Sequence, residues 1–179
     1  MTAPSSRRRL ELALSGIVIS ACLLRTQLAD ALVVRGDGCL YRARPSLALQ
    51  YYRRALWLDA NDGTAVDRFV FVAMTLREGG ALRDGIAVAS RYLERNPDDD
   101  VVRMDRAMAY RATGRPAQAV TDFATVGRRT KDARALTFAG FAAEEIGQRD
   151  RARAFWHSAV AIDPGFPAAQ HALTRSGSP

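Results

Sequence analysis

Few side chains in this 179-residue sequence stand where they could do chemistry on their own. Two cysteines, Cys22 and Cys39, supply thiols, and no CxxC spacing surrounds either, so neither a redox pair nor a zinc finger is implied. Either they bridge each other or each occupies an apolar position. His157 and His171 each stand alone, and His157 adjoins Trp156 in a helical stretch, so no metal site is expected. Glu144 and Glu145 are consecutive, and consecutive helix positions face different ways, which rules them out as an acid/base pair. The glycines of Gly36-Asp37-Gly38 and Glu78-Gly79-Gly80 lack the surroundings of a phosphate loop and read as turn or packing glycines. Arg35-Gly36-Asp37 falls inside a helical pattern, where an adhesion motif would be unreadable. No serine-histidine-aspartate set with a glycine elbow is present. The expectation is a protein with no catalytic residues, no metal, no cofactor and no small-molecule substrate.

The formal charge of +7 comes almost entirely from arginine, Lys131 being the single lysine. Arg7, Arg8, Arg9 and Arg25 stand against Glu11 within residues 1–28, and the remaining excess is diffuse. A diffuse excess is not the basic stripe of a nucleic-acid binder. Nearly half of the residues (48%) are apolar, enough for a packed core.

The elements that position these residues repeat along the chain. In "ARALTFAGFAAEEIGQRDRARAFWHSAVAIDPGF" (133–166), Leu136, Ala139, Gly140 and Ala143 lie on one helical face. After Gly147, Ala152, Phe155, Trp156, Ala159 and Ile162 do the same, and Asp163-Pro164-Gly165 ends the second helix. A shift back of 33 residues brings Ala107, Tyr110, Gly114, Ala119, Phe123 and Val126 into matching places, this copy ending at Val126-Gly127-Arg128-Arg129 without a proline. A further 34 brings Phe69, Val72, Ala73, Leu76, Gly80, Gly85, Ala89 and Pro97. A further 37 brings "PSLALQYYRRALWLDAND", with Ala48, Tyr52, Ala55 and Leu58, and a partner helix over 28–42. Small residues at Ala107, Gly140, Ala119 and Ala152 let paired helices touch, while Phe123 and Trp156 fill the wedge to the next pair. Gly80, Gly114 and Gly147 are expected to take the left-handed turn position. The first copy has Ala43 there and carries Gly36 and Gly38 inside its first helix. Gly36 suits a close-packing position; Gly38 weakens the helix by about 1 kcal/mol.

This pattern resembles the tetratricopeptide repeat, in three good copies and one degenerate copy across 29–166. The resemblance implies an all-α fold: a right-handed superhelix of antiparallel helix hairpins, with an N-terminal hydrophobic helix and a capping helix from Pro167. It implies a protein or peptide partner held in a concave groove lined by the first helix of each pair. Mapped onto this sequence, the groove residues are Val70, Met74 and Arg77, then Met104, Asp105, Met108 and Arg111, then Thr137, Phe141 and Glu144. The methionines would make an adaptable apolar floor. The lysines and asparagines with which one subclass clamps a carboxylate are replaced by Val70, Met74, Met104, Met108 and Phe141, so chaperone tails are not expected as partners.

Residues 1–28 form a basic and hydrophobic leader, 29–166 the array, and 167–179 the cap and tail. Arginines 7–9 precede an apolar run from Leu10 to Leu24. Ile19-Ser20-Ala21-Cys22 resembles the bacterial lipobox, which implies lipidation at Cys22. Cleavage after Ala31 is a second reading, and an uncleaved short or interfacial anchor a third. A helix packed on the first repeat of a cytosolic adaptor or co-chaperone is the fourth. The run from Leu12 to Leu24 is about 20 Å of helix, short of a bilayer core of about 30 Å. Extension to Val34 would draw Arg25 and Asp30 into lipid. The expected function is a membrane-associated scaffold of a bacterial cell envelope, with the cytoplasmic adaptor as the alternative.

Overall fold

The computed structural model describes residues 6–77 and 79–176, apart from the side chains of 6–14 and 16. The side chains of Arg7, Arg8 and Arg9 and the residue Glu78 therefore lie outside the described residues. Among these there are nine helices and no strand. They are α1 (Ser6–Tyr41), α2 (Pro45–Leu58), α3 (Gly63–Leu76), α4 (Gly79–Arg95) and α5 (Asp100–Ala112). Then come α6 (Pro116–Thr130), α7 (Ala133–Glu145), α8 (Arg149–Ile162) and α9 (Pro167–Ser176). The chain divides into two compact units, Met1–Ala65 and Val66–Pro179.

In the first unit the leader and the first repeat helix are one continuous helix of 36 residues. The sequence boundary at residue 28 lies inside it. From Ala29 onward α1 buries Ala29, Val33 and Cys39 in a helical stripe, and α2 answers with Ala48, Tyr52 and Ala55. Tyr52 lies against Gly36, where an added Cβ would overlap its ring. Its hydroxyl donates to the Asp37 carboxylate at 2.6 Å, so this aspartate belongs to the hairpin and not to an adhesion loop. Both cysteines are free, Cys22 exposed and Cys39 buried, which removes the bridged alternative.

The hairpin turns share one device. Gly114 and Gly147 have φ of 70° and 76°, and the next backbone N–H reaches back to the helix, from Arg115 to Tyr110 O and from Gln148 to Ala143 O. That is the Schellman arrangement, which satisfies the last carbonyls of a helix. Ala43 does the same without a glycine, with φ of 54° and the Arg44 N–H on Cys39 O. The fourth left-handed residue in this series is Arg77, also at φ 54°. Gly80 instead lies in the first turn of α4, a correction to its expected role. Ala43 and Arg77 each carry strain of roughly 1–2 kcal/mol that a glycine would avoid. Pro45 and Pro116 open α2 and α6, where a missing N–H costs nothing.

In the second unit the core runs through Ala107, Ala119, Phe123, Leu136, Ala139, Ala143, Ala152, Phe155, Trp156 and Ala159. The short helix α9 lays Ala169 and Ala172 on this core, with contacts to α7 and α8, as a cap does. At Gly140 an added Cβ would overlap the Trp156 indole, so the absent side chain makes room for the ring. Gly127 is similarly covered by Leu136, its space closed at 2.6 Å from Leu136 Cγ. The copy that closes at Gly127-Arg128-Arg129 ends differently: α6 stops at Lys131 in the left-handed conformation, and Asp132 at once caps α7.

Candidate partner-binding cleft

Three aspartates set the phase of the first helices. Asp62 accepts from the Ala65 N–H, Asp99 from Val102 N–H, and Asp132 from Arg134 and Ala135 N–H. Such N-caps are worth about 1 kcal/mol each and mark where each helix begins. They lie 37 and then 33 residues apart, and the left-handed residues Arg77, Gly114 and Gly147 have the same spacing. The sequence mapping used 34 between α3 and α5 and so misplaced α3 by almost one turn. The cause is α4, which at 17 residues is longer than α6 (15 residues) and α8 (14 residues).

The re-phased array explains where each expected groove residue falls. Val70 aligns with Ala107 and Gly140 and is fully buried, with Gly85 of α4 against it. Thr137 is buried too, its hydroxyl bonded to Ala133 O at 2.8 Å. Neither offers surface to a partner. Arg77 has left α3 for the turn. Phe141 packs on Trp156, with ring centroids 5.7 Å apart. Arg111 donates to Glu145 at 2.7 Å, and Arg175 of α9 donates to Glu144 at 2.6 Å, so these charges tie helices together.

The remaining four, Met74, Met104, Asp105 and Met108, converge. They line a cleft of about 650 Å³ with Phe71, Val101, Val126 and Phe138. Phe71 and Val101 are 52% and 62% exposed, large apolar groups presented to water. The methionines are half-buried between them. Phe138 rests on Phe123, with centroids 5.5 Å apart. Sequence reasoning missed Phe71, Val101 and Phe138. The signal was there in part: Val101, Met104 and Met108 follow i, i+3, i+7, and Phe71 and Met74 follow i, i+3. The polar edge of the cleft carries Asp100, Asp132 and Arg134.

Asp105 is the unusual group. Its Oδ2 is buried and accepts no hydrogen bond among the described residues. Burial, then the adjoining Asp67 carboxyl and the charge of Asp99, push its pKa up to about 8, against a smaller pull from Arg68. At neutral pH Asp105 thus holds its proton. An unfolded aspartate ionises near 3.9, so between pH 4 and pH 8 the folded chain binds the extra proton. The stability this group contributes is complete below pH 4 and lost as pH rises through 8. Compared with Asp105→Asn, the native chain is therefore expected to lose melting temperature progressively from pH 5 to pH 9. The variant should be the more stable of the two at pH 9, by about 1 kcal/mol. Circular-dichroism melts of both proteins across that range test this; parallel curves would dismiss the retained proton on Asp105.

Helices α4, α5 and α6 share an ion-pair cluster that the sequence did not reveal. Arg106 of α5 donates through two nitrogens to Asp122 of α6, at 2.7 and 2.8 Å, and through a third to Ser90 of α4 at 3.2 Å. Arg103 adds a contact to Asp122 at 3.7 Å. The bidentate bond holds the guanidinium charge and raises the Arg106 pKa above its ordinary value. Asp98 and Asp100, beside the cap Asp99, pair with Arg129 at 2.7 and 3.5 Å. The acidic run at the start of α5 thus serves the helix end and its neighbour.

No group of histidine, cysteine and carboxylate side chains that could hold a metal occurs among the described residues. No family model matches the sequence, and no curated protein matches it. Solved structures do match the fold. MamA from residue 41 onward, from Desulfovibrio magneticus RS-1, has a TM-score of 0.71 at 19% identity, over 83% of this chain and 82% of that one. YrrB, described as a TPR protein with an unusual peptide-binding site, has a TM-score of 0.70 at 23% identity, over 94% and 86%. A tetratricopeptide repeat protein from Parabacteroides merdae has a TM-score of 0.69 at 13% identity, over 84% of this chain and 59% of its own. The hairpin turns, the small-residue contacts and these structural likenesses agree: the chain has the tetratricopeptide-repeat fold.

Proposed function

We propose that this protein is a non-enzymatic scaffold that binds a partner peptide or helix in the cleft of Met74, Met104 and Met108, at a bacterial cell envelope. The observation that carries the binding reading is the cleft itself. Phe71, Val101 and the three methionines give an open apolar surface whose flexible thioethers adapt to apolar side chains. Its position on the first helices α3, α5 and α7 supports the same reading, as does the peptide-binding site named for YrrB. Asp105 and Met108 line the floor, and Arg134 with Asp132 supply polar partners at the edge.

The envelope reading rests on the N-terminal segment. Ile17–Tyr41 is long and apolar enough to cross a membrane, by length and composition. Cys22 is exposed and free, as a lipidated residue must be. Fractionation of cells with and without globomycin tests this part: an unlipidated, untruncated product in the cytosol would favour the cytoplasmic adaptor.

The cleft has a separate test. Met74→Glu combined with Met108→Glu places two charges on the floor and is expected to abolish capture of the partner from an envelope extract. Because both side chains are half-buried and not central to the core, the helical melt should stay nearly unchanged. Capture that survives the double substitution would remove the cleft as the binding surface.

A further inference from the structure

The sequence holds four methionines. Met1 lies outside the described residues, and the other three, Met74, Met104 and Met108, all line the one cleft. Among the described residues the buried core contains no methionine and uses leucine instead, as at Leu82, Leu93 and Leu136. Met104 and Met108 stand one turn apart on α5 and rest on the core from outside, and Met74 comes from α3. Leucine would match their bulk. What methionine adds is flexibility and a sulfur that carries lone pairs.

That sulfur is open to chemistry here. The three side chains are half-buried, and the cleft of about 650 Å³ opens to solvent beside exposed Phe71 and Val101. A water molecule takes about 30 Å³, so a small hydroperoxide enters with room to spare. A sulfur lone pair attacks one peroxide oxygen. The S–O bond forms as the O–O bond breaks, and the departing hydroxide takes the proton left on the transferred oxygen and leaves as water. Sulfur is oxidised by two electrons and the peroxide is reduced by two. A dithiol reductase reverses the change, its two thiols becoming a disulfide and the oxygen leaving as water.

We propose that Met74, Met104 and Met108 form a site of reversible oxidation by hydroperoxides, and that their sulfoxides expel an apolar partner from the cleft. This rests on the reading that the cleft binds such a partner. A sulfoxide oxygen is a strong acceptor and needs a donor once water is removed. Phe71, Val101, Val126 and Phe138 offer none, and the Thr130 hydroxyl already donates to Val126 O at 2.9 Å. The oxidised floor therefore keeps its water, and an apolar side chain cannot seat on it. The fold is spared, because none of the three sulfurs belongs to the buried core.

A displayed library of random peptides is selected on the full chain. Peptides whose capture is lost on Met74→Glu with Met108→Glu serve as probes. Hydrogen peroxide is expected to add one oxygen to each of the three methionines, read by peptide mass, and to leave the helical spectrum in place. Probe affinity should fall about tenfold or more. Methionine sulfoxide reductase with a dithiol should restore it, and a bound probe should protect all three sulfurs from peroxide. With leucine at the three positions, the ratio of affinities before and after peroxide should stay near one, whatever the starting affinity. Sulfurs that do not react, sulfoxides that leave affinity unchanged, or a loss that accompanies unfolding or persists with leucine would each overturn the oxidation site and leave the cleft reading standing. A library that yields no peptide dependent on Met74 and Met108 would overturn both.

Discussion

Trp156→Ala is expected to destabilise the second unit by about 3–5 kcal/mol, the range for emptying a buried aromatic site. The ring is 1% exposed, fills the space left by Gly140, and packs on Phe141. Its Nε1 also donates to Thr137 O at 3.3 Å, joining α8 to α7. The pairing with Gly140 can be isolated. Gly140→Ala alone should cost about 1–3 kcal/mol, because the new methyl meets the indole and neither helix has room to retreat. In the Trp156→Ala background the same methyl should cost far less, since the cavity receives it. Urea unfolding of the two single variants and the double variant measures this coupling. Equal costs of Gly140→Ala in both backgrounds would show that the glycine is not there for the ring.

The second large effect is expected at Asp122. Asp122→Ala should cost about 3–5 kcal/mol, since it leaves the Arg106 charge half-buried without its carboxylate. The Asp122 side chain is only 5% accessible, and Arg106 also reaches Ser90, so three successive helices lose a common tie. Replacing both partners, Asp122→Leu with Arg106→Met, removes the stranded charge and should recover most of the loss. Urea melts again decide. A double variant as unstable as Asp122→Ala would mean that packing geometry, and not the uncompensated charge, sets the cost.

These two sites differ in how well they could be read. Trp156 and Gly140 were visible as a large and a small residue at matching places in the repeat, because backbone contact between helices demands that alternation. Arg106 and Asp122 were not, since an arginine on one helix and an aspartate sixteen residues later look like two solvated surface charges. Only the packing of α5 on α6 turns them toward each other and away from water. The left-handed turns show the same division. Glycine announced itself at Gly114 and Gly147, but Arg77 takes that conformation because the hairpin imposes it against local preference.

For the cleft, the repeat mapping named Met74, Met104 and Met108, and the structure brings these three half-buried side chains together. It failed for Val70, Thr137 and Arg77. The places of Val70 and Arg77 depend on the 37-residue offset between α3 and α5, and a three-residue shift turns a helix by nearly a full turn while moving each side chain along it; Thr137 is buried within α7, its hydroxyl bonded to Ala133 O. The amino-acid sequence by itself determined the all-α hairpin repeat, since periodicity, small-residue contacts and turn signals are local properties of the chain. The tertiary structure alone decided which side chains share the cleft and which opposite charges meet. It also decided that Arg25 closes the end of α2. Those outcomes depend on the register of one helix against another, which is fixed by packing across the hairpin and carries no mark in any single helix.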